Sequence, residues 1–203
     1  MPKKIQKHQN TSLRRKQIIA ALRKLIIEHG SENVTVRRIA REIGISQGAI
    51  YRHFKSKREI LSFLVDYIEE NLIGDVERSN QFKDAIELLE NIMKNHLSAI
   101  EQRSGVSFLV IAEIISLGDK KLNKKIFNVL NRYTSLIETI ISNGLKTGEI
   151  RPDTNPRIAA NAFFGMIQGL VTIWALGDYK FNLEQEYNSL WGFFCGAIKK
   201  AIP

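Results

Sequence analysis

The chain has 203 residues, 44% hydrophobic and 25% charged, with 30 Lys+Arg against 21 Asp+Glu and a formal net charge of +9. That length and mix suit one large folded domain or two small ones and exclude wholesale disorder, while the basic excess invites a polyanion as partner. A lone Cys195 excludes an internal disulfide and fits a reducing cytoplasm, His8, His29, His53 and His96 lack zinc-finger spacing, and the opening MPKKIQKHQN has no apolar signal stretch.

The charge is unevenly spread. Residues 1–60 carry 15 basic and 4 acidic side chains, net +11, and residues 61–203 carry 15 and 17, net −2. Such asymmetry points to a nucleic-acid-binding end joined to a neutral body, with a merely solvated basic face as the alternative. Residues 1–12, with Lys3, Lys4 and Lys7, read as a flexible basic arm, either solvated or reaching a minor groove. Ile18, Leu22 and Leu25, with Ile19 and Ile26, then repeat at helical intervals up to Gly30, a left-handed C-terminal cap. Thr35 predicts the next N-cap, with Val34 and Ile39 as a hydrophobic staple, and that helix runs from Val36 to Ile43 and stops at Gly44. Ser46 caps a third helix, with Ile45 and Ile50 repeating the staple. Ser56 and Glu59 form a capping box that opens a fourth through Leu61, Leu64, Val65 and Ile68.

Beyond Gly74 the predicted helices lengthen, over 82–103, 105–117, 119–147 and 156–177. Phe82, Ile86, Leu89, Met93, Leu97 and Ile100 form one apolar stripe, and Leu122, Ile126, Val129, Tyr133, Ile137, Ile140 and Ile141 another. The run Phe108–Leu117 is apolar almost all round and predicts a buried helix. Asn155 before Pro156 is an N-cap followed by proline in the first turn. A last helix carries Leu183, Tyr187, Leu190, Trp191, Phe194 and Ile198. No alternating strand pattern of useful length occurs, so the chain reads as all-α with about nine helices. Ile158–Gly177 holds no charged residue and is long enough to span a bilayer. Asn161, Gln168 and Thr172 interrupt it and no basic cluster flanks it, which favours a helix buried by its own domain and a partner subunit, with no membrane involved.

Residues 35–54 place two short helices either side of Gly44-Ile45-Ser46, the grammar of a helix-turn-helix whose second helix enters the major groove of double-stranded DNA. Ser46 and the free N–H groups behind it can accept a phosphate. The Gln47 amide can pair bidentately with adenine, Gly48 lets the backbone approach the duplex, and Tyr51 offers a ring to a thymine methyl. Arg52, His53, Lys55 and Lys57 surround them with donors, and Ile50 and Phe54 should face inward. Half-buried packing for Tyr51 and a structural role for His53 are the plainer alternatives.

The segment SQGAIYRHFKSK, preceded by VTVRRIAREIG and a helix ending in EHG, resembles the DNA-binding domain of the TetR family of repressors over about residues 13–65. The resemblance implies base contacts from Gln47, Gly48 and Tyr51 and phosphate contacts from Thr35, Ser46, His53 and Lys57. It also implies a division into a helix-turn-helix domain at 13–55, a connecting helix at 56–74 and a ligand-binding and dimerisation domain at 75–203. Two pairs of glycines spaced four apart, Gly165 with Gly169 and Gly192 with Gly196, agree with close helix approach. With Trp191 they predict a homodimer interface built from the last two helices of each subunit, glycines in a monomer core being the alternative.

For a small-molecule effector the candidates are His96, Phe108, Glu113, Phe127, Met166, Gln168 and Trp174. Glu113 inside FLVIAEIISL is costly to bury alone, so it should meet a ligand, a cation such as Arg103, or solvent. No nucleophile–base pair, metal cluster or glycine-rich phosphate loop is present in the sequence, so neither an enzyme nor a cofactor is expected. The expectation is a dimeric repressor released from a palindromic operator by a hydrophobic or amphipathic effector, and a non-specific DNA-binding protein is the runner-up.

Overall fold

The computed structural model describes residues 35–52, 54–78 and 84–200, together with 13, 14, 17, 18, 20–22, 24, 25 and 28. Expectations for Lys3, Lys4, Lys7, Ile19, Ile26, Gly30, Val34, His53 and Phe82 lie outside the described residues. The described residues from 13 to 28 are helical, with Ile18, Leu22 and Leu25 buried. Eight further helices follow: α1 (Val36–Glu42), α2 (Gln47–Tyr51), α3 (Lys57–Arg78), α4 (Ala85–Gln102), α5 (Val106–Leu117), α6 (Lys120–Thr147), α7 (Pro156–Leu176) and α8 (Leu183–Ile198). Among the described residues β-pairing is limited to an antiparallel bridge between Ile150 and Lys199, so the fold is all-α.

Local chemistry sets most of the boundaries. Thr35, Ser46, Asp84, Asp119, Asn155 and Asn182 each sit in extended geometry and accept an N–H from the first turn of the helix they open. At α3 the expected capping box is displaced by one residue. Glu59 donates its N–H to Ser56 Oγ at 3.3 Å, but its carboxylate accepts from Lys55 N at 2.7 Å rather than from Ser56.

The larger unit is assembled from antiparallel and parallel pairs. α4 and α6 run antiparallel, with Ala85 against Gly144 and His96 against Tyr133. α6 and α7 also run antiparallel: Arg157 bridges Glu138 at 3.0 Å and Asn131 at 2.9 Å, and the Tyr133 and Phe164 rings meet edge-on. α8 returns along α7 and α4, joined by the Phe163–Phe194 contact and by Tyr187 donating to Glu90 at 2.8 Å. α3 lies parallel to α6 along a row of ion pairs, Arg58–Asp119 at 3.1 Å, Lys125–Asp66 at 2.7 Å and Arg132–Glu69 at 2.9 Å.

Two expectations, for α3 and α5, need correction. α3 does not stop at Gly74 but runs on to Arg78, because Leu72, Ile73 and Val76 keep the buried stripe going, so the helix belongs to both units. α5 is not buried all round: Val106, Val110 and Ile114 face the core, while Ile115 and Leu117 are 66% and 48% exposed. α7 is long and apolar enough to cross a membrane by length and composition. It buries Phe163, Ile167, Val171 and Trp174 on one side and leaves Ile158, Gly165, Gly169, Ile173 and Leu176 exposed on the other.

Candidate nucleic-acid interface

The α1–α2 corner is built by two caps and one left-handed turn. Thr35 Oγ1 accepts from Arg38 N and Ser46 Oγ from Ala49 N, both at 3.2 Å. Between them Gly44 holds a φ of +67°, a conformation that costs a residue with a side chain about 1–2 kcal/mol. Gly44 N then bonds to Arg41 O and Ile45 N to Ala40 O, which closes the end of α1. Val36, Ile39, Ala40 and Ile50 turn inward, and the Phe54 ring lies tilted against that of Phe63 on α3, 5.4 Å between centroids.

With the apolar side anchored, the rest of α2 faces solvent. Ser46, Gln47, Gly48 and Arg52 are exposed, Tyr51 is 50% exposed, and Thr35, Arg37, Arg41 and Lys55 stand exposed beside them. Because both cap hydroxyls accept from the backbone, each keeps its O–H free to donate outward, as a phosphate oxygen requires. The Gln47 amide offers a donor and an acceptor together, which a base edge in the major groove can match. Lys57 departs from the sequence expectation. Its Nζ lies 2.7 Å from Glu113 Oε1 on α5, so in this state a carboxylate stands where a phosphate partner was expected. That pairing gives Glu113 the cation its burial called for, with Lys57 in the place suggested for Arg103.

The residues proposed for an effector stand in different surroundings. His96 is buried, and its Nδ1 shares a 3.0 Å hydrogen bond with the Tyr133 hydroxyl. Burial, reinforced by the Arg103 charge, pushes the imidazole down to about 4, and burial raises the Tyr133 phenol. Trp174 is buried beneath Gly105, where an added Cβ would come within 3.2 Å of its ring, and its Nε1 donates to Phe181 O at 2.7 Å. Phe108 and Gln168 are half-buried. Phe127 points outward at 65% exposure, because the helical turn places it beside the buried Ile126 rather than on its face. Met166 is half-buried and lines a groove of about 340 Å³ with Ile158, Ala162, Phe193 and Ala197. Of the residues expected at the dimer contact, Gly165, Gly169, Gly192 and Gly196 are exposed and a Cβ on any of them would meet nothing within 4 Å. Trp191 is the exception: it is buried in its own subunit, tilted against Phe194.

Sequence reasoning missed the Lys57–Glu113 and Arg58–Asp119 pairs and the close packing at Gly144, all contacts between distant segments. The profile described as "Bacterial regulatory proteins, tetR family" matches residues 18–62, and that described as "YsiA-like protein, C-terminal region" matches residues 58–197. The chain belongs to the TetR family. It is 29% identical over 178 residues to the fatty acid metabolism regulator protein of Bacillus subtilis, covering 86% of this chain and 90% of that protein. It is 25% identical over 189 residues to the nucleoid occlusion factor SlmA of Vibrio cholerae, covering 92% and 96%. Among solved structures, FadR from Bacillus subtilis in complex with stearoyl-CoA superimposes with a TM-score of 0.76 at 28% identity, over 88% of this chain and 96% of that one. FadR from Bacillus halodurans superimposes with a TM-score of 0.80 at 24% identity, over 90% and 94%, a likeness of fold. This TetR-family chain is thus a DNA-binding transcriptional regulator with an N-terminal helix-turn-helix and a C-terminal helical domain.

Proposed function

We propose that the protein is a cytoplasmic homodimeric repressor that occupies a palindromic operator and leaves it when its helical domain takes up an amphipathic acyl ligand of the acyl-CoA class. The observation that carries the operator reading is the solvent-facing set Gln47, Gly48 and Tyr51 above the fully buried Ile50. These residues read base edges, while Thr35, Ser46, Arg52, His53 and Lys57 serve phosphates. Dimerisation is supported by the unpartnered apolar face of α7 and α8, where Ile158, Ile173, Leu176 and Phe193 are 64%, 64%, 82% and 75% exposed beside four open glycines. The acyl-CoA class is supported by the stearoyl-CoA held by the similar Bacillus subtilis structure and by the fatty acid metabolism relative.

Two steps test this reading. Selection from random duplexes should return a palindrome whose half-sites lie about one helical turn apart, 34–36 Å or slightly more. Stearoyl-CoA should then release the selected duplex in a gel shift, whereas free coenzyme A should not. Equal affinity for selected and random DNA would instead favour the non-specific, effector-independent reading.

A further inference from the structure

Glu113 is the only charged residue in α5, and its side chain is 13% exposed. A carboxylate so placed requires a cation and hydrogen bonds to offset its lost hydration. Lys57 supplies the cation at 2.7 Å, and it is the first residue of α3, a few residues beyond the end of α2. The neighbouring Arg58 reaches Asp119 Oδ2 at 3.1 Å, on the turn between α5 and α6. Both cations that open α3 are therefore held by acids of the C-terminal domain.

An ammonium in contact with a carboxylate offers a duplex a nearly neutral pair in place of a positive charge. Affinity for DNA and its salt dependence follow the number of cations that neutralise phosphates and release counterions. We propose that Glu113 is a positioning residue for operator binding: it competes with a backbone phosphate for the Lys57 ammonium and so sets, from the C-terminal domain, the charge presented to DNA. The inference rests on the placement of Lys57 at the DNA face. Movement of α5 away from α3 frees one phosphate contact, and closure withdraws it.

The test uses the full-length protein, with affinity for the selected operator and for a random duplex measured across a salt series. Asp119 is unsuited to it, because its Oδ1 also caps α6. Glu113→Gln should tighten binding to both duplexes about 3- to 10-fold at physiological salt and steepen the salt slope by about 0.9. In a Lys57→Gln background the same change should do nothing. Melting and sedimentation of each variant establish that fold and assembly persist, and Glu113→Asp, with a shorter reach, gives a smaller shift in the same direction should the glutamine variant not fold. Unchanged or weaker binding by both variants, or an equal gain without Lys57, overturns the proposal while wild-type operator binding leaves the DNA-binding assignment standing. Wild-type protein that binds no duplex overturns both.

Discussion

The His96 imidazole and the Tyr133 hydroxyl meet at 3.0 Å inside the C-terminal domain, joining α4 to α6 with both rings withdrawn from water. Burial holds the imidazole down to about 4, from 6.5, so the native protein keeps His96 neutral in a range where the unfolded chain is protonated. Stability from this group is complete above pH 6.5 and falls as pH drops toward about 4, where the native imidazole itself takes a proton. The span corresponds to on the order of 3 kcal/mol at most. Urea midpoints taken at fixed protein concentration between pH 7 and 4 should fall more steeply for the wild type than for His96→Gln. Parallel curves for the two proteins would show that this histidine does not govern the acid limb.

At the DNA face, Gln47→Ala and Tyr51→Ala should each cost about 1–3 kcal/mol in binding to the selected operator and little on random duplex. Both residues are exposed, so melting temperatures should stay within about a degree or two of the wild type. Equal losses on both duplexes would move these residues from base reading to phosphate contact.

For the α7–α8 face, Gly165→Leu is informative because a Cβ there meets nothing within 4 Å and the position is exposed. Helix propensity alone predicts a gain of roughly 1 kcal/mol over glycine. In a close twofold contact the same leucine should weaken association at least tenfold, read by sedimentation as a shift from dimer to folded monomer. Dimers of undiminished strength would remove Gly165 from the contact.

Gly144 behaves in the opposite way. A Cβ at this position would sit 2.8 Å from Ala85 Cβ and 2.8 Å from Ile150 Cδ1, too close for either neighbour. Gly144→Ala should therefore destabilise the protein by about 1–2 kcal/mol, overpacking outweighing the gain in helix propensity. A stabilised variant in chemical denaturation would show that α4 and the Ile150 bridge yield easily.

What could be read from the sequence follows the range of the interaction concerned. Thr35, Ser46 and Asn155 were legible as caps because a cap binds an N–H only a few residues away. The inward turn of Ile50 and the outward turn of Gln47 and Tyr51 follow from helical period alone. Lys57 and Glu113 are 56 positions apart, and nothing local to either names the other. Phe127 is exposed against expectation for a related reason: a helix with several apolar positions has more than one face a cavity could use, and only packing chooses one. Trp191 was misassigned because its neighbouring exposed glycines share its helix but not its face.

The row of ion pairs along α3 and α6 constrains how these helices can shift. Arg58, Asp66 and Glu69 meet Asp119, Lys125 and Arg132 in the same order along two helices that point the same way. Sliding one helix past the other by a single turn, about 5.4 Å, would disengage every pair together, like a rack pulled off its teeth. Rocking about the Arg132 end stretches only the pairs nearest α2, so the seam resists piston travel and yields to a swing.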